Sequence, residues 1–113
     1  MADASEERAA NDYIQLALAY FDNNDMPGAR RHVNNAFDID NRISDGYMVL
    51  AMVFRREGNL DLADSNFLRA ISLDQNNSRA RNNYATMLFS QERFRESYEQ
   101  LERVAGDTSY EGR

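Results

Sequence analysis

A chain of 113 residues is one domain's worth of polypeptide, long enough to bury a modest core. Its net charge of -6 argues against nucleic acid, which is bound through basic patches that neutralise phosphates. The absence of cysteine excludes disulfides, thiolate zinc sites and cysteine nucleophiles, and all 13 basic residues are arginine, which suits planar, bidentate contacts.

The opening MADASEERAA is acidic and polar, with no secretory apolar region, so residues 1–9 are expected to form a polar tail on a soluble chain. From residue 10 the sequence matches itself twice when slid by 34 positions. Leu16 falls on Leu50 and Tyr84, Ala17 on Ala51 and Ala85, and Tyr20 on Phe54 and Leu88. Ala29 falls on Ala63 and Ser97, Val33 on Phe67 and Leu101, and Ala36 on Ala70 and Val104. AFDID at 36–40 and AISLD at 70–74 end two of the units alike. Three units follow, spanning 10–43, 44–77 and 78–111.

In the first unit Tyr13, Leu16, Ala17 and Tyr20 stand at i, i+3, i+4 and i+7, one face of a helix. After the polar turn NNDMPG a second helix carries Ala29, Val33, Ala36 and Phe37. Pro27 suits a first helical turn, where its missing N–H leaves nothing unsatisfied. The second unit turns at REGNLD, where Gly58 suits the position just past a helix end. The third turns at SQERF. The pattern predicts six helices in three hairpins, with small Ala17, Ala51 and Ala85 letting paired helices approach closely.

This period, with small-residue columns at Ala17/Ala51/Ala85, Ala29/Ala63 and Ala36/Ala70, resembles the tetratricopeptide repeat. The resemblance implies an all-α solenoid of three repeats in a right-handed superhelix, each repeat touching only its neighbours. The chain departs from the family at Asn41 and Gln75, where a proline often closes the repeat, and at Ser97 and Val104, where alanine is usual.

The second unit opens on YMVLAMVF at 47–54, eight apolar residues in a row and far short of the roughly 20 that cross a bilayer. Tyr47, Leu50, Ala51 and Phe54 are expected to pack within the hairpin, and Val49 and Val53 on neighbouring repeats. Met48 and Met52 remain, one turn apart on the same side. In a solenoid of this class that side lines the concave groove, so the run's second apolar face is expected to meet a ligand. Equivalent places hold Ile14, Leu18 and Phe21 in the first unit and Arg79, Asn82, Thr86 and Phe89 in the third, while Arg55 and Arg56 continue the second. Methionine is adaptable and recurs at binding surfaces, although it also fills irregular gaps between repeats. Chaperone-binding grooves of this family clamp a C-terminal carboxylate with Lys, Asn and Arg. The clamp places here hold Ile14, Leu18, Val49, Arg79 and Asn83, so such a clamp is not expected.

Catalysis finds no foothold in the motifs. The single histidine, His32, lies beside Arg30 and Arg31 with no partner in sequence, and no phosphate-binding, nucleophile-elbow or zinc-protease motif occurs. Asp22 and Asp25, or Asp38 and Asp40, read as helix-end caps and solvated turns. Asp61, Asp64 and Asp74 lack the loop spacing of a cation site. A binding module is expected, with no catalytic residue, metal or cofactor.

Longer stretches, DYIQLALAYF at 12–21, RARNNYATMLFSQERFRESYEQL at 79–101 and DTSYEGR at 107–113, resemble the PilF/PilW proteins of type IV pilus biogenesis. Asn82-Asn83 before Tyr84, and DTSY leading towards a further repeat, are the most specific pieces. The resemblance implies the first half of an outer-membrane pilotin or stability factor for the pilus secretin. Such a protein is a scaffold on the periplasmic side that binds a secretin subunit or another pilus component. The family's signal peptide and lipid-bearing cysteine are missing, so the resemblance makes the chain a mature or truncated piece; the alternative is a generic cytoplasmic scaffold with another peptide ligand. A third expectation is homo-oligomerisation. The last helix shows Tyr98, Leu101 and Val104 with no following helix to cover them, so either the chain is a fragment or this edge pairs with another copy, and self-association through it is expected.

Overall fold

The computed structural model describes residues 2–106, which form six helices. They are α1 (Ala4–Asp22), α2 (Met26–Ile39), α3 (Ser44–Arg56), α4 (Leu60–Leu73), α5 (Ser78–Ser90) and α6 (Phe94–Ala105). The end of the third unit and the DTSY segment, residues 107–113, lie outside the described residues.

The helices stop and start where the sequence provides chemistry for it. After α1, α3 and α5 the chain turns through a left-handed residue, and those residues stand 34 apart: Asn24 (φ 61), Gly58 (φ 84) and Glu92 (φ 62). At each turn the next N–H reaches back to the helix: Asp25 to the Tyr20 carbonyl, Asn59 to Phe54 and Arg93 to Leu88, at 2.8, 2.9 and 2.9 Å. These are the long bonds of a Schellman stop, which satisfy carbonyls the helix leaves open. Each second helix then restarts at once. Asp25 and Asn59 cap α2 and α4 by accepting from the Gly28 and Leu62 amides, and Pro27 sits in the first turn of α2.

The expected polar tail is helical instead. α1 begins at Ala4 because Asp3 and Glu6 form a capping box, each side chain bonding the other's backbone N–H. This motif lay inside a segment too polar to carry an apolar period.

Packing follows the small-residue columns. Ala17, Ala51 and Ala85 are buried, as are Ala29, Ala63 and Ser97, and Ala36, Ala70 and Val104. Ser97 replaces alanine without penalty because its hydroxyl donates to the Ala85 carbonyl at 2.8 Å. Val104, expected on an exposed edge, is a member of this core column and is 6% exposed.

Leu16 also departs from expectation. It is 45% exposed, whereas Tyr84 in the same column is 2% exposed. Tyr84 stacks on Phe67 of α4, at 5.4 Å between ring centres, so this column packs on the preceding hairpin. No described helix precedes α1 to cover this face of Leu16.

The first helix of each hairpin touches the next such helix, α1 with α3 and α3 with α5, while α2, α4 and α6 do not meet one another. One layer is drawn together and the other splayed. The chain therefore curves, with α1, α3 and α5 on its inner side.

Candidate functional site

A cavity of about 490 Å³ opens on the inner layer, lined by Phe21 of α1, Met52, Arg55 and Arg56 of α3, Asn83 of α5 and Phe67 of α4. It reaches all three inner helices. Phe67 is fully buried and contributes only the floor, so the walls come from the inner layer.

The expected groove residues divide by column. Met52 is half-buried and lines the cavity, as do Phe21, 9% exposed, and Arg55. Ile14 and Met48, at 1% and 0% exposure, belong to the core and offer a ligand no surface. The reason is visible at Met48, whose Sδ lies 3.9 Å from Asn83 Nδ2, beneath α5. The inner helices sit close enough to close over the first column and leave the second open. The apolar run at 47–54 therefore packs on two sides, against α4 and against its inner-layer neighbours, and Met52 is the member of it that reaches the cavity.

Leu18 is half-buried against the core. Arg79 and Thr86 are exposed and Asn82 half-buried on α5. Phe89, 64% exposed, meets Phe94 edge-on at 5.0 Å. These α5 residues share one helical face but do not line the cavity. Asn83 does line it. Its signal in the sequence is a polar residue in the column where Val49 is fully buried.

The two arginines of α3 differ in their engagements. Arg56 lies over the Phe21 ring, 4.4 Å from its centre, and donates to Asn24 Oδ1 at 3.1 Å. It joins the first hairpin to the second. Arg55 has no hydrogen-bond or ion-pair partner for its guanidinium among the described residues, although its side chain is partly buried beside Met52. A guanidinium with open donors at a cavity wall can receive a carboxylate. Asn83 donates to the Arg79 carbonyl at 2.9 Å and lines the cavity.

His32 has structural partners. Its ring stacks on Tyr20 at 4.6 Å, and Nδ1 lies 2.8 Å from the Gly28 carbonyl. Among the described residues no group of three or more His, Cys, Asp or Glu could hold a metal ion. Among the described residues no helix is long and apolar enough to cross a membrane.

Residues 44–77, the α3–α4 hairpin, match the tetratricopeptide repeat family model. Over 108 residues, 96% of the chain, the sequence is 34% identical to the type IV pilus assembly protein PilF of Pseudomonas aeruginosa, and it covers 43% of that protein. The solved structure of P. aeruginosa PilF superposes with a TM-score of 0.88 over 94% of this chain and 48% of its own. PilW, a widely conserved type IV pilus biogenesis factor, superposes with a TM-score of 0.79 at 23% identity, over 90% of this chain and 47% of its own. The chain thus spans about half the length of these relatives or less. A repeat match on the central hairpin, six helices in repeat order and sequence shared with PilF along nearly the whole chain make this a tetratricopeptide-repeat protein homologous to PilF.

Proposed function

We propose that this chain is a protein-interaction scaffold of type IV pilus biogenesis. In this reading the inner-layer cavity holds a segment of a secretin subunit or another pilus component on the periplasmic side of the outer membrane. One observation carries it: the Arg55 guanidinium, without a hydrogen-bond or ion-pair partner among the described residues, stands beside Met52 in a cavity that spans all three inner helices of a PilF homologue.

The chemistry of the lining describes the ligand. Met52 and the exposed edge of Phe21 favour an apolar side chain, and methionine adapts its shape to what it meets. Arg55 favours a carboxylate next to it. The protein carries a net charge of -6, so an acidic segment would be repelled elsewhere and guided to this patch of arginines. A short segment pairing an apolar anchor with Asp or Glu fits both demands. A clamp for a chaperone's terminal carboxylate fits poorly, because Ile14 and Val49 at two of its places are buried aliphatics.

The test is a titration of a purified secretin periplasmic domain against the parent, Met52→Arg and Arg55→Glu, each first shown by circular dichroism to keep its helices. The parent should bind and both variants should lose about tenfold or more in affinity. Equal binding by all three would move the site off the inner layer. No binding by the parent would reject the reading that these three repeats by themselves hold the secretin.

A further inference from the structure

The inner-layer cavity holds one group whose chemistry can change in the folded chain. Of the methionines among the described residues, Met26 is 7% exposed and Met48 and Met87 are fully buried. Met52 is half-buried and lines the cavity, one turn beyond Met48, which lies beneath α5. An oxidant reaches the buried three only through local opening of the helices, whereas it reaches Met52 from solvent. The column of Met52 holds Leu18 in the first unit and Thr86 in the third, so this row of the inner layer carries a single thioether.

Arg55 stands three residues further along the same side of α3 and lines the same cavity. The polar groups around it are engaged: Arg56 lies over the Phe21 ring and bonds Asn24, and Asn83 bonds the Arg79 carbonyl. The Arg55 guanidinium has no hydrogen-bond or ion-pair partner among the described residues, and a thioether is too weak an acceptor to supply one. A sulfoxide differs, because its oxygen is polar and accepts from a guanidinium.

We infer that Met52 is an oxidative modification site that takes one oxygen from hydrogen peroxide, and that its sulfoxide accepts from Arg55 and closes the cavity to a ligand. The sulfur lone pair attacks one peroxide oxygen as the O–O bond breaks. The sulfur gains that oxygen and loses two electrons, and the other oxygen leaves as water with both hydrogens. The change acts twice on the cavity. An adaptable apolar wall becomes polar, and donors open to a carboxylate become occupied. Enzymatic reduction of the sulfoxide reverses both. The modification is independent of what the cavity holds, and only its effect on a ligand rests on the pilus-partner reading.

The full chain is treated with hydrogen peroxide, and oxidation is followed at each methionine by peptide mass spectrometry. Met52 should convert about tenfold faster than Met26, Met48 and Met87. Met1, which lies outside the described residues, is scored in a separate peptide. Circular dichroism should show the helices unchanged. In nuclear magnetic resonance spectra, the Arg55 Nε–H signal should move on oxidation, further than that of Arg56, and exchange more slowly with water. The oxidised chain should bind a purified secretin periplasmic domain about tenfold more weakly than the reduced chain. Treatment with the two methionine sulfoxide reductases, one for each epimer, should restore that loss. In Met52→Leu, peroxide should leave the affinity at whatever value it had before treatment. The inference is overturned if Met52 oxidises no faster than the buried methionines, or if its sulfoxide leaves the Arg55 signal in place. An oxidised chain that binds the secretin as tightly as the reduced one overturns it too, and so does loss of the helices, since the modification would then act by unfolding. A reduced chain that does not bind the secretin counts against the partner reading alone, and the oxidation map and the Arg55 signal then decide this one.

Discussion

Tyr84 of α5 donates its phenolic hydrogen to Asp64 Oδ1 of α4 at 2.7 Å, and Arg93 Nη1, at the start of α6, donates to the same oxygen at 3.0 Å. Three consecutive helices are tied at one atom. Burial, and after it the hydrogen bond to Asp64, push the Tyr84 phenol well above the ordinary tyrosine value of 10.0. The neutral phenol is therefore favoured in the folded chain. A group whose folded value is raised contributes stability that is complete below the unfolded value and lost as pH rises above it. The wild type should lose stability above about pH 10, where the unfolded chain releases this proton and the folded chain cannot. Tyr84→Phe should cost about 1 kcal/mol at neutral pH for the lost hydrogen bond and show a shallower fall above pH 10. Thermal melts of both proteins from pH 7 to 11 measure the difference. Parallel curves would mean that Tyr84 does not couple folding to pH.

The three left-handed turn residues predict a stabilising substitution. Gly58 adopts φ 84 freely, whereas Glu92 holds φ 62 with a Cβ that crowds the following carbonyl. Glu92→Gly should stabilise the chain by about 0.5–1 kcal/mol, the steric relief exceeding the added freedom of the unfolded state. Gly58→Ala should destabilise by a similar amount, about 1 kcal/mol. Urea midpoints at constant slope would report both. A destabilised Glu92→Gly would show that the glutamate side chain contributes more than its backbone costs.

What could be read from the sequence was what repeats. The columns Ala17/Ala51/Ala85 and Ala29/Ala63/Ser97 are buried throughout because a junction repeated three times makes the same steric demand each time. Pro27 and Gly58 gave away their turns by backbone chemistry that needs no tertiary context. The groove was less legible. Met48 and Met52 are chemically alike and one turn apart, and their fates separate only because α5 passes over the first and leaves the second open. How closely neighbouring helices approach depends on every side chain between them, and helical spacing alone carries no such distance. Val104 was misplaced for a related reason, since its face of α6 is covered from within its own hairpin while Tyr98 and Leu101 look outward.

The pair Arg55 and Arg56 separates a binding role from a structural one. Arg56 spans two hairpins through its contact with the Phe21 ring and its bond to Asn24, while Arg55 has no such partner among the described residues. Arg56→Ala should lower stability by about 1 kcal/mol, the range of an exposed cation–π contact with one hydrogen bond. Arg55→Ala should stay within about 0.5 kcal/mol of the wild type, as surface substitutions without special contacts do. Chemical denaturation of the two variants decides it. A costly Arg55→Ala would make that guanidinium a structural element and remove the reason to assign it a ligand.

Asn77 concentrates several contacts in one side chain. Its Oδ1 caps α5 by accepting from the Ala80 amide at 3.0 Å. Its Nδ2 donates to Ser44 Oγ and Asp45 Oδ1, both at 2.8 Å, and so ties the start of α5 to the start of α3. Ser44 passes the connection on by donating to the Ala70 carbonyl at 2.7 Å. Asn59 caps α4 through a longer bond, accepting from the Leu62 amide at 3.4 Å, and makes no such bridge among the described residues, so it serves as the internal control. Asn59→Ala should cost about 1 kcal/mol, the value of a cap alone, and Asn77→Ala about 2 kcal/mol, the cap plus the bridge. Asn77→Asp keeps an oxygen for the cap but sets a second carboxylate against Asp45, so it should lose more than Asn59→Ala does at neutral pH. Equal costs for Asn59→Ala and Asn77→Ala would show that the bridge between α3 and α5 adds nothing, leaving buried apolar packing as the source of the coupling between those repeats.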